Sequence, residues 1–77
     1  EAAALSRALR EALARRLPEA RTGSPEEILA LPSLAPAERE SAQRLAEVER
    51  ARFDPTALAP EAGAVERALT ELRKLSG

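Results

Sequence analysis

Six prolines, at positions 18, 25, 32, 36, 55 and 60, decide where this chain can be helical. Proline lacks an amide hydrogen and clashes with the preceding turn, so a helix does not run through one, although it opens readily on one. The windows left between them are 1–17, 26–31, 37–54 and 61–77. No stretch alternates β-branched and polar residues, and no internal repeat is present, so these windows read as helices.

Within residues 1–17, Leu5, Leu9, Leu13 and Leu17 recur every fourth position. They span about 120° of a helix, the width of a core-facing stripe. Arg7, Glu11 and Arg15 are opposite charges four apart on the solvent side. Arg16 falls on the apolar side and is expected to snorkel outward past Leu9 or Leu13. Residues 19–23 read as a polar loop. Ser24, Pro25, Glu26 and Glu27 then combine an N-cap, a first-position proline and a capping box, opening a two-turn helix that carries Ile28, Leu29 and Leu31.

Residues 32–36 form a stiff connector, with Leu34 as an apolar staple for the next helix. Pro36, Glu38 and Glu40 favour the opening of a longer helix that reaches Phe53. Its apolar stripe is sparse: Ala42, Leu45, Val48 and Phe53, with Arg52 placed near the middle. Charges at Glu40 and Arg44, Glu47 and Arg50, and Glu49 and Arg52 are spaced to pair. Asp54-Pro55 is a sharp helix stop, and residues 54–60 form a turn with Leu58 as its single apolar anchor. Residues 61–75 make the last helix, with Val65, Ala68, Leu69, Leu72 and Leu75 on one face. On its outside Arg67 and Glu71, and Glu71 and Lys74, are opposite charges spaced to pair.

The expected fold is all-α: one domain over residues 1–77, a small three-helix bundle with a short extra helix between the first and second long ones. Phe53 is the only aromatic residue. It is expected to be the keystone of the core, wedged among Leu45, Val48 and Leu69.

Functional classes follow by elimination. The chain has no His, Cys or Tyr, which leaves few groups for acid–base or nucleophilic catalysis. The carboxylate pairs at Glu26 and Glu27, Glu38 and Glu40, and Glu47 and Glu49 suit helix starts and solvated faces better than a catalytic or metal site. The glycines stand alone at 23, 63 and 77, so no phosphate loop exists. The expectation is therefore no enzyme, no cofactor and no metal. A net charge of −1 offers no global field for nucleic acid or an anionic membrane, and no apolar run is long enough to span one. Nucleic-acid binding would have to use Arg7, Arg10, Arg15, Arg16 and Arg21, which Glu1, Glu11 and Glu19 offset.

Two roles are open for Arg52. It is a charged hook for a partner, with Glu49 beside it, or its stem covers core while the guanidinium bonds helix-end carbonyls or Glu49.

The order of elements, with Ser-Pro-Glu-Glu-Ile-Leu at 24–29 and Ala51-Arg52-Phe53-Asp54 closing the long helix, resembles the cytoplasmic C-terminal tail of bacterial membrane proteins of the BatD (aerotolerance) type and related tail domains of unknown function. In those tails a helix ending Ala-Arg-Phe or Ala-Arg-Tyr before Gly or Asp recurs. The resemblance implies a non-enzymatic docking or assembly module on the cytosolic side of a bacterial inner membrane, working with MoxR-type AAA ATPases and von Willebrand factor A domain proteins. A chain starting at Glu1 without Met is expected to be a processed product or an excised piece of something longer, and the second alternative fits the resemblance. Outside the resemblance, the alternatives are a small regulatory domain binding nucleic acid through the first-helix arginines, or a helical fragment of a larger enzyme.

Overall fold

A computed structural model describes residues 2–76. The elements are α1 (Ala2–Arg16), a 3₁₀ turn (Pro18–Arg21), α2 (Pro25–Leu29), α3 (Pro36–Phe53) and α4 (Ala62–Ser76), with no strand among the described residues. The architecture is an all-α bundle of three long helices with a short one between the first two. Glu1 and Gly77, placed by the sequence at the ends of the outer helices, lie outside the described residues.

Each boundary has a local cause. Leu17 turns extended (φ −129°, ψ 94°) ahead of Pro18, as the residue before a proline prefers. Ser24 caps α2: its Oγ accepts from the Glu27 N–H at 3.2 Å, while Glu27 Oε1 accepts from the Ser24 N–H at 2.8 Å. These two bonds complete a capping box. The Ser24 N–H, then its hydroxyl, hold the Glu27 carboxyl below its usual range. At the start of α3 only half a box forms. Ala35 has no side-chain oxygen, but its N–H donates to Glu38 Oε1 at 2.8 Å.

Where a polar loop is expected at 19–23, residues 18–21 instead coil into the 3₁₀ turn and bury Ala20 completely. The Ala20 N–H donates to the Leu17 carbonyl and the Gly23 N–H to that of Glu19, so the turn closes on itself and folds its one methyl inward.

The core is Leu9 and Leu13 from α1, Ala20, Ile28 from α2, Ala42, Leu45 and Val48 from α3, and Val65, Leu69 and Leu72 from α4. Leu5, Leu17, Leu29 and Leu31 are half-buried against it. Ser41 is fully buried between α3 and α4, where its hydroxyl donates to the Ala68 carbonyl at 3.3 Å.

Phe53 is not the keystone. It is 79% exposed, while Leu45, Val48 and Leu69 pack together without it. The core layer of α3 stops at Val48. Phe53 stands about 7.5 Å further along the axis at 1.5 Å per residue, and α4 begins only at Ala62. Arg52 shares this overhang and is exposed rather than central to a buried stripe. Leu58 is no anchor either, at 92% exposed, and Leu75, one turn past the last core residue of α4, is 42% exposed.

Candidate interaction surface

The end of α3 is held in a defined shape. The Asp54 N–H donates to the Arg50 carbonyl at 2.9 Å, closing the last turn before Pro55. Asp54 Oδ1 then accepts from both the Thr56 hydroxyl (2.7 Å) and the Thr56 N–H (3.0 Å), a side-chain turn that fixes how the chain departs. These bonds, the hydroxyl first, lower the pKa of the Asp54 carboxyl, with the Arg50 charge adding to them. The guanidinium carbon of Arg52 lies 5.4 Å from the Phe53 ring centroid, within cation–π range.

Two shallow grooves meet at Ala46 and Arg50. Phe53 borders one, with Pro25, Glu26 and Glu49. Leu58 borders the other, with Leu29, Gln43 and Ala57. The two most exposed large apolar side chains of the described residues thus stand at the lips of neighbouring depressions.

Glu49 is part of a different device. Arg52 does not pair with it; instead the Arg10 Nη2 donates to Glu49 Oε2 at 2.8 Å, and the Ser6 hydroxyl donates to the same oxygen at 3.1 Å. Arg10 Nη1 also donates to the carbonyls of Ala20 (3.0 Å) and Gly23 (2.6 Å). One half-buried guanidinium therefore ties α1 to α3 and pins the turn between them. A second tie joins Arg16 Nε to Glu38 Oε2 at 2.8 Å. Arg16 does not simply snorkel into water. Glu38 is 4% exposed, and its position in the opening turn gave no sign of that burial. Burial raises its pKa, but the Ala35 N–H, then the bond and charge from Arg16, outweigh this and leave it lowered.

Glu71 and Lys74 pair as expected, at 3.0 Å, but the expected pairs of Arg7 with Glu11, Glu11 with Arg15, Glu40 with Arg44, Glu47 with Arg50, and Arg67 with Glu71 are not made, and Arg44 instead joins Glu47 at 2.9 Å. Long exposed side chains lose rotamer entropy on pairing and gain little. Of the five arginines in the first part of the chain, Arg10 and Arg16 are thus occupied by Glu49 and Glu38. Arg7, Arg10, Arg15 and Arg21 nevertheless line one surface groove with Glu11 and Ala14.

Among the described residues no group of three or more acidic side chains is arranged to hold a metal ion, and no helix is long and apolar enough to cross a membrane. Comparison with known proteins finds no matching family model, no similar curated protein and no similar solved structure.

Proposed function

We propose that this domain is a non-enzymatic docking module that presents the end of α3 and Leu58 to a protein partner. The exposure of Phe53 carries the reading. Burying a side chain of this size is worth roughly 1.5–3 kcal/mol, and here that gain is left unused within the chain. Aromatic and arginine side chains are also the commonest anchors at protein interfaces. The Arg52 stack and the Asp54 turn limit the freedom of this end before any partner arrives, which lowers the ordering cost of binding.

Ala51, Arg52, Phe53 and Asp54, the residues of the BatD-type resemblance, fall on this same exposed end. Three of the four, Arg52, Phe53 and Asp54, are exposed and Ala51 is half-buried, so resemblance and exposure meet at this end. The partner proposed is a MoxR-type AAA ATPase or a von Willebrand factor A domain protein at the cytosolic face of a bacterial inner membrane.

Calorimetric titration of the chain against such a purified ATPase and a von Willebrand-type domain tests this. Binding weakened at least about tenfold by Phe53→Ser with Leu58→Ser supports the module. No binding, or binding indifferent to both substitutions, overturns it.

A further inference from the structure

The groove on the outer side of α1 uses none of the residues of the Phe53 end. Its arginines are not equivalent. Arg10 is committed to Glu49 and two carbonyls, whereas Arg7 and Arg15 make no ion pair, even with Glu11 four residues from each. Arg21 approaches from the 3₁₀ turn and is likewise unpaired. The ridge a ligand would meet along α1 is thus Arg7, Glu11, Arg15: cation, anion, cation.

Steps of four residues are about 6 Å apart along a helix axis and drift by about 40° around it. The three side chains therefore form one gently winding row. Ala14 in this groove, and Ala8 and Ala12 in the adjoining groove beside Leu69 and Leu72, keep the flanks low enough for close approach.

We infer that this ridge docks a partner helix bearing acid, base and acid at successive four-residue steps. A second helix has the same rise per residue, so its side chains match the row in register. The pattern also reads the same in both directions, so parallel and antiparallel approach are equivalent for charge. Glu11 decides against a polyanion: a nucleic-acid backbone would set phosphate against a carboxylate in the middle of the row. Positions 2–23 hold five arginines against two glutamates and positions 24–76 seven cations against ten acids, so the ridge lies on the basic part of the chain and suits a partner helix with more acid than base. The inference extends the docking reading to a second face and survives its failure at the first, because Phe53 takes no part in it.

The test uses the whole chain and helical peptides of about 20 residues, long enough to hold some helix in water. One carries Glu, Lys, Glu at four-residue steps on an alanine background; a second carries Lys, Glu, Lys; a single-stranded oligonucleotide is the third probe. Fluorescence anisotropy at about 50 mM salt should show about tenfold preference for the first peptide over the second. The triple variant Arg7→Glu, Glu11→Lys, Arg15→Glu should invert that preference while circular dichroism shows unchanged helix content. Phe53→Ser should leave it unaltered. Equal binding of the two peptides, a preference that the triple variant does not move, or tighter binding of the oligonucleotide would overturn the inference.

Discussion

The two ends of α3 follow opposite rules. From its start as far as Glu49, nearly every polar side chain that turns inward meets a partner: Glu38 takes Arg16 and the Ala35 N–H, Ser41 takes the Ala68 carbonyl, and Glu49 takes Arg10 and Ser6. At its far end the apolar ring of Phe53 faces water with an arginine stacked on it. Buried polar atoms are costly unless bonded, whereas exposed apolar surface costs only the burial it forgoes. The first end is therefore where the fold is held, and the second is where the chain has material free for something else.

The contrast breaks first if the leucines are not the source of stability. Leu45→Ala, at a position with no exposure, should cost about 2–5 kcal/mol. That is a large part of the roughly 4–12 kcal/mol available to a domain of this length. Urea denaturation followed by circular dichroism measures it, and a loss under about 1 kcal/mol would mean the core is looser than described. Arg10→Ala comes next. It removes three hydrogen bonds, one to Glu49 of α3 and two to carbonyls of the turn between α1 and α2, and leaves Glu49, three-quarters covered, with the Ser6 hydroxyl in place of a cation, so a loss of about 2 kcal/mol is expected. A double-mutant cycle with Glu49→Gln should return a coupling of about 1 kcal/mol.

Acid sharpens the comparison at the other tie. The Glu38 pKa is lowered in the folded chain from a usual value of 4.5, so the unfolded chain takes up its proton first as pH falls. The stabilisation it provides is complete above that value and is lost as pH drops through the lower, folded one. In Glu38→Gln, which keeps an oxygen for the Ala35 N–H but loses the charge facing Arg16, the fall in stability on acidification below pH 4.5 should be shallower than in the parent. Parallel curves would show that the Arg16 contact carries no charge-dependent stability.

Much of this fold is legible in residue order because proline and the four-residue leucine spacing act locally. Pro18, Pro25, Pro36 and Pro55 set helix boundaries, Ser24 and Glu27 cap as their spacing requires, and Leu9, Leu13, Leu45 and Leu72 are buried where periodicity puts them. The clamp of Ser6, Arg10 and Glu49 was hidden because its members lie some forty positions apart and become neighbours only after α1 and α3 pack. A serine and an arginine four apart beside the leucine stripe were its only trace. The error over Phe53 has a related cause. Angular position on a helix says which way a side chain faces, but not whether a neighbouring helix reaches that far along the axis.

The smallest effect is the most telling. Phe53→Ser should change folding stability by no more than about 0.5 kcal/mol, because the ring is 79% exposed and borders only a shallow groove, with Arg52 stacked on it. An exposed cation–π pair is worth about 0.5 kcal/mol at the low end of its range, and a ring this exposed meets water in the folded and unfolded chain alike, so its removal changes little else. Serine and phenylalanine have about the same helix propensity, and this is the final helical position, where propensity counts least. The parent and the variant should therefore share a urea midpoint within error. A loss of about 3 kcal/mol, the amount expected for a buried aromatic, would show that the ring folds back onto the bundle in solution, and α3 would then no longer have two unlike ends.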